Sequence, residues 1–380
     1  MIDNSLGATN LTIRQKLWQI HWFFILILAV IASIGFAMLY SAAGGSVDPW
    51  AKRHALRFII GVVLMIGVAT VDIRIWLRYA YIIYFAIFLL LVAVDMFGAM
   101  GMGARRWINI GFFTLQPSEL MEIAIVLALA RYFHSGSIED VRRPTFILIP
   151  ILIVAVPAGF VFRQPDLGTS LILIVTALGV FFAAGVRLWK FCLLGFLSLA
   201  ALPVVWKNLH EYQQNRVLTF LSPESDPLGT GYHIIQSKIA FGSGGLSGRG
   251  FLQGTQGHLN FLPEMQTDFI FTILSEELGL IGGLSLLALY VILLIYGIAI
   301  ATQSRSHFGG LLAMGVTITF FLYIFVNMAM VMGLIPVVGV PLPLISHGGT
   351  AMLTLLIGFG LLMGVWIHRD ITIGQRGSSE

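Results

Sequence analysis

The residues that could do chemistry gather in a few polar stretches between long apolar ones. The first is 261–279, FLPEMQTDFIFTILSEELG, in which a lone acid, Asp268, precedes the apolar FIF run. A carboxylate at a membrane edge is costly to place, so it marks a candidate functional site. Its chemistry would be that of a base in a partly desolvated cavity. If a helix begins near Gln266, then Asp268, Thr272 and Ser275 share one face at i, i+4 and i+7. The competing reading is structural, because Asp is a favoured N-cap residue. Pattern alone leans toward the cap.

The second stretch is 231–257, GYHIIQSKIAFGSGGLSGRGFLQGTQG, rich in glycine and carrying Gln236, Ser237, Lys238 and Arg249. Glycine lets backbone N–H groups approach an anion closely. There is no Walker pattern and no strand–helix setting, which argues against a nucleotide. A pyrophosphate at the membrane surface fits better, held by Lys238, Arg249 and Arg216. A flexible surface loop with ordinary basic residues explains the same spacing, and spacing alone favours it.

Glu119 and Glu122 open the segment QPSELMEIAIV. Acids in a first helical turn complement the helix dipole, which favours structural roles for both. Glu122 lies deeper and wants a partner, for which Arg105, Arg106 and Lys238 are candidates. Glu276 and Glu277 read as structural, one paired at the rim and one a cap. In 327–352, NMAMVMGLIPVVGVPLPLISHGGTAM, three prolines and a Gly-Gly pair interrupt apolar sequence. Broken backbone at membrane depth is tolerated only when buried in protein or lining a cavity. Ser346 and His347 would sit at that break. No His, Asp or Glu cluster has metal-ligand spacing.

The elements that must position these residues are membrane helices. The 380 residues are 58% hydrophobic and only 11% charged, against roughly a quarter charged in a soluble domain. The basic residues are scattered, with no patch for nucleic acid. One cysteine, Cys192, in an apolar run argues against disulfides or structural zinc. At about 20 residues per crossing, about ten spans are expected, near 20–42, 55–72, 75–95, 117–134, 145–162, 168–185, 188–206, 279–301, 309–333 and 343–367. The first is too long for a signal-peptide apolar core and is read as uncleaved.

With the N-terminus cytoplasmic, twelve Lys and Arg fall in inner segments. Only six, Lys52, Arg53, Arg57, Arg105, Arg106 and Arg163, fall in short outer ones. The positive-inside bias therefore places both termini in the cytoplasm. The segment 207–267 then forms a large, partly helical outer loop, too aromatic to be disordered, that dips toward lipid. The shorter outer loop 95–116 is expected beside it. Residues 264–278 are expected as extra helix or a re-entrant turn on the outer side. The whole chain reads as one all-α polytopic domain.

Taken together, RRWINIG (105–111), QPSEL (116–120), QPDLGTS (164–170), SPESDPLGTGYHIIQSKIAFGSGGLSGRG (222–250), FLPEMQTDFIFTILSEELG (261–279) and GVPLPLISHGG (339–349) resemble the SEDS family of bacterial cell-wall proteins. GYHIIQSKIA and GLIPVVGVPLPLIS are closest to its RodA-like, elongation branch. The resemblance runs through nearly the whole chain. It implies an inverting peptidoglycan glycosyltransferase of the cytoplasmic membrane, active on its outer face in cell elongation and rod-shape maintenance.

The substrates implied are lipid II and a lipid-linked glycan strand. The implied partners are a class B penicillin-binding protein and MreB/MreC-type elongation machinery. The resemblance maps the family's essential acid onto Asp268. Arg216, Lys238, Arg249, Gln236 and Ser237 would face the pyrophosphate. Glu119, Glu122, Arg106, Trp107, Thr267, Ser346 and His347 would support the cavity. No cofactor is read from the sequence, although a divalent cation could share the leaving-group charge. A lipid II flippase and a non-catalytic scaffold are the alternatives.

Three departures stand out. Glu122 replaces the family's usual Lys, Gln266 replaces the His two residues before the acid, and SHGGT replaces SYGGS, giving His347.

Overall fold

The protein is described from a computed structural model that covers residues 12–101, 104–109, 114–209, 211–225, 230–254 and 265–374. The FLPE segment at 261–264 and the polar tail from 375 lie outside the described residues.

Each of the ten apolar segments is a helix. They are α2 (Trp22–Ala42), α3 (Ala51–Thr70), α4 (Ile73–Phe97), α5 (Pro117–Ser135), α7 (Pro144–Arg163), α8 (Leu167–Ala183), α9 (Leu188–Asn208), α12 (Ile270–Gln303), α13 (His307–Val331) and α14 (Gly349–Ile367). Two short helices, α1 (Ile13–Gln19) and α6 (Ile138–Arg142), begin in capping boxes built on Thr12 and Ser137. The long helices satisfy their own backbone groups, as hydrocarbon requires. Large apolar side chains such as Phe97, Leu89 and Val63 face outward. This is an integral membrane protein.

The windows of α13 and α14 are 72% buried, whereas those of α3, α4 and α12 are 22% buried. The bundle is therefore organised around α13, α14 and the segment 332–348 that joins them. Three features depart from the expected elements. The last span starts at Gly349, not 343, because Pro341 and Pro343 remove backbone donors and Leu344 takes a left-handed φ of 61°. The loop after α4 forms a small antiparallel sheet, β1 (Ala99–Gly101), β2 (Ala104–Asn109) and β3 (Thr114–Leu115), in the order β1-β2-β3. It packs over α4 and α5, with β3 against the start of α14 through Thr114 O and Thr350 Oγ1 at 2.8 Å.

The third is at Asp268. The chain turns through 265–269, and α12 begins only at Ile270, with Phe269 as its N-cap. Asp268 precedes the cap, so neither the capping role nor the shared helical face with Thr272 is realised. The helix then breaks at Gly279, whose φ of 64° and ψ of −161° suit glycine alone. This separates a short first piece of α12 from the long piece that follows. The 244–250 segment covers the break. Leu280 and Ile281 donate to Gly245 O and Leu246 O, and Arg249 and Gly250 donate to Glu276 O and Glu277 O, all at 3.0–3.1 Å. That segment, with its exposed Leu246, follows α11 (Thr230–Gly244), which with α10 (Glu211–Leu221) leaves Leu218, Leu221 and Ile239 exposed.

Candidate active site

Three bonds fix the Asp268 turn on the broken segment. Ser346 Oγ donates to Thr267 O at 2.5 Å and accepts from Leu342 N at 2.7 Å. His347 N donates to Gln266 O at 2.8 Å. Asn327, fully buried on α13, donates from one Nδ2 to Asp268 O at 3.0 Å and to Val340 O at 2.7 Å. The broken segment is itself anchored, because the fully buried Tyr290 OH donates to Pro343 O at 2.6 Å. A polar segment at this depth is thus enclosed by protein on several sides.

The Asp268 carboxylate lies beside Gly339, where a Cβ would stand 3.3 Å from Oδ2. Gly339 has a φ of 74°. The same segment receives two cations. Arg216 Nη1 donates to Val337 O at 3.4 Å. The Lys238 chain crosses Gly333, with Cε 2.5 Å and Nζ 3.0 Å from the position of a Cβ there. One acid, and two cations from α10 and α11, therefore lie along residues 333–339.

The other expected anion contacts are placed differently. Arg249 is exposed on the 244–250 segment over the helix break. Gln236 is half-buried on α11. Ser237 is fully buried, and its hydroxyl meets Thr272 Oγ1 at 2.9 Å and donates to Val331 O at 2.8 Å. It clamps α11 to α12 and α13 and does not face a surface anion. Glu277 accepts from Ser41 and sits, like Glu276, in the buried core around the break, which fits the structural reading of both.

Glu122 does not meet Arg106 or Lys238. Tyr323 OH donates to its Oε1 at 2.8 Å. It lines an apolar cleft with Pro341, Leu342, Ser346 and Met352, behind the segment that carries Thr267 and Asp268. Glu119 and Asp166 are within electrostatic reach of Glu122. Arg106 instead donates to Gln164 O at 2.9 Å and to Pro165 O, with Asp166 4.0 Å away. Asp166 in turn caps Thr169 N at 3.2 Å and accepts from Gln116 at 3.0 Å. Trp107, half-buried on β2, pairs with Ala99 in the sheet. Arg106, Gln116 and Asp166 thus form one polar layer that ties the small sheet to the starts of α5 and α8, while Glu119 is buried beside it on the first turn of α5.

On the other side of the site, Arg57 Nη1 lies 3.3 Å from His347 Nε2. Burial, then the Arg57 and Arg53 charges, push His347 down to about 4. The ring is neutral at pH 7 and can accept from Arg57. Among the described residues no three His, Cys, Asp or Glu side chains form a metal-ligating group.

Asn327, Tyr323, Arg57 and Gly339 were not singled out from the sequence. Asn327 and Tyr323 had a usable signal, since polar groups inside FLYIFVNMAMV are costly there unless they bond something.

The FtsW/RodA/SpoVE cell cycle protein family model matches residues 17–371. The chain is 44% identical over 351 residues to the peptidoglycan glycosyltransferase MrdB of Escherichia coli strain K12, covering 91% of this chain and 93% of that one. It is 37% identical to stage V sporulation protein E of Bacillus subtilis strain 168, covering 90% and 95%. Among solved structures, one of a peptidoglycan synthase complex that coordinates polymerization and crosslinking superposes with a TM-score of 0.80 at 33% identity, covering 92% of this chain and 98% of that one. The rod shape determining protein RodA of Thermus thermophilus superposes with a TM-score of 0.70 at 27% identity, covering 93% and 98%. With a bundle broken at the same place its sequence marks, and a family match over nearly its full length, the chain belongs to the FtsW/RodA/SpoVE family, the SEDS family of its sequence motifs.

Proposed function

We infer that this protein is a peptidoglycan glycosyltransferase that polymerises glycan strands from lipid II during cell elongation, with Asp268 as the base. The observation that carries this is the placement of Asp268, Arg216 and Lys238 along residues 333–339. The similarity to MrdB supports the same activity.

In the reaction, the 4-hydroxyl oxygen of an incoming GlcNAc attacks the anomeric carbon of the MurNAc at the strand end. The hydroxyl proton passes to the Asp268 carboxylate. The bond from the anomeric carbon to the phosphate oxygen breaks, and undecaprenyl diphosphate leaves with the electron pair. One displacement inverts the α-linked donor to a β-1,4 product. The base must come within about 3 Å of the proton it removes, which explains the fixed turn at 265–269. Arg216 and Lys238 stabilise the charge that develops on the departing diphosphate, usually the largest catalytic contribution. The donor carries its own energy in the phosphate ester, so no nucleotide is needed.

Lys and Arg bias puts both termini in the cytoplasm and the Asp268 turn on the outer side of the membrane, where a class B penicillin-binding protein would bind and crosslink the product. MreB/MreC-type elongation machinery would guide the pair.

The test is polymerisation of labelled lipid II by the purified protein with its transpeptidase partner. Asp268→Ala should lower the rate by about 10²–10⁴-fold, the usual share of a general base, with folding and partner binding unchanged. Full polymer from that variant would overturn the assignment. Movement of lipid II across a liposome without polymer would favour a flippase.

A further inference from the structure

At the end of the bundle opposite Asp268, α4 begins and α5 ends around a second cavity. Its wall is formed by Arg74, Leu77, Arg78, Tyr81, Arg131 and His134, closed by the Gly374 backbone, and it encloses ≈ 640 Å³ of empty space, the open mouth included. Three guanidinium groups line it, and among the described residues no acid does. The nearest acid at the start of α4, Asp72, is engaged as its N-cap, accepting from Arg74 N at 2.8 Å.

Arg131 is fixed in place, while Arg74 and Arg78 keep exposed side chains. Arg131 Nη1 donates to Arg78 O at 2.7 Å, and its guanidinium stacks 4.3 Å over the Tyr81 ring. Both contacts fix its direction. His134 is 5% exposed, and its ring is engaged by the Gly374 backbone that closes the cavity. Leu77 and Tyr81 give the same cavity an apolar flank at the level where helices leave the bilayer.

The geometry points to a binding site for a phosphate oxyanion here, supplied by the headgroup of an anionic phospholipid. Guanidinium pairs grip phosphate oxygens bidentately, and the apolar flank receives the start of the acyl chains. On the orientation argued under the proposed function, this is the inner leaflet, whose anionic surface favours basic pockets between helices. The site is remote from the Asp268 turn and does not depend on the reaction assigned there.

Native mass spectrometry of the full-length protein, in detergent supplemented with phosphatidylglycerol or phosphatidylcholine, tests the site directly. Wild type should retain phosphatidylglycerol in preference to phosphatidylcholine. Arg74→Gln with Arg78→Gln, both exposed side chains, should weaken that retention by about tenfold or more, at roughly 1 kcal/mol per basic residue near the surface. Arg131→Lys, which keeps charge but loses the fork, should weaken it less. Competition by millimolar inorganic phosphate alone would support the same oxyanion site with free phosphate as its occupant. Equal retention of the two lipids by wild type, or unchanged retention by the double variant with its thermal stability intact, would overturn the proposal. Polymerisation is not the readout, so failure here leaves the Asp268 assignment standing.

Discussion

Asn327 on α13 holds Asp268 through its backbone, donating to Asp268 O at 3.0 Å and Val340 O at 2.7 Å from one amide nitrogen. The acid and the segment it faces are thus tied to one rigid helix. Asn327→Ala frees both carbonyls in a buried site. Each buried acceptor left without a partner costs about 1–3 kcal/mol, and a shift of about 1 Å at the base can cost about 10²-fold in rate. Lipid II polymerisation should fall by about that factor while the partner still binds. An unchanged rate in Asn327→Ala would show that the turn is held by Ser346 and His347 alone.

That tie was not legible in the sequence, and the reason is distance along the chain. Asn327 and Asp268 are 59 residues apart, Tyr323 and Glu122 are 201 apart, and Arg57 and His347 are 290 apart. No periodicity or local propensity encodes such pairs. The spans were legible because lipid demands about 20 apolar residues per crossing. A break around Ser346 and His347 was legible because Pro341 and Pro343 interrupt the apolar run, but its extent was not, since the last span was expected from 343 and starts at Gly349. Asp268 was legible because a lone acid beside an apolar run needs a reason. Pattern alone could not separate a cap from a base. The turn at 265–269 decides against the cap, because the helix starts one residue too late for it.

Glu122 is held by Tyr323, and the pair predicts a pattern of stabilities. Tyr323→Phe leaves a buried carboxyl oxygen without its donor and should cost about 1–3 kcal/mol. Glu122→Gln keeps an acceptor for the tyrosine and should cost less. Glu122→Leu combined with Tyr323→Phe removes both polar groups and should lie nearer wild type than Tyr323→Phe alone. Glu122→Lys sets a cation within reach of Glu119 and Asp166, so it should fold and polymerise within about tenfold of wild type, a complementary charge being tolerated where a like one is not. Thermal unfolding in detergent ranks the four, and a Glu122→Lys protein that fails to fold would contradict this view of the cluster.

His347 gives the protein a pH dependence on its acid side. Its folded value is near 4 against an ordinary 6.5, through burial first and then the Arg57 and Arg53 charges. As pH falls, the unfolded chain takes up the proton before the folded one does. The stability tied to a neutral His347 is complete above about pH 6.5 and erodes as pH drops from there toward 4. Apparent melting temperature should fall through that window, and His347→Asn should flatten the slope. Arg57→Gln removes one of the depressing charges and should raise the His347 value, narrowing the window from below. Parallel pH slopes for wild type and His347→Asn would place the titration elsewhere.

Gly279 governs how the first piece of α12 meets the rest of the chain. Its φ of 64° with ψ of −161° is open to glycine only. A Cβ there would collide with Gly248 N and stand 2.7 Å from Leu246 O. Those atoms belong to the segment whose backbone bonds cover the break through Glu276, Glu277, Leu280 and Ile281. Gly279→Ala must therefore either straighten the helix or push that segment away. Either change moves the piece of α12 that follows directly on Asp268. The cost combines backbone strain of about 1–3 kcal/mol with the loss of covering bonds, so a drop in melting temperature and loss of most polymerisation are expected together. Gly283→Ala is the control on the same helix, since a Cβ there meets nothing closer than 3.6 Å, and it should behave as wild type. Equal behaviour of the two alanine variants would mean that the break at Gly279 does not set the position of the Asp268 turn.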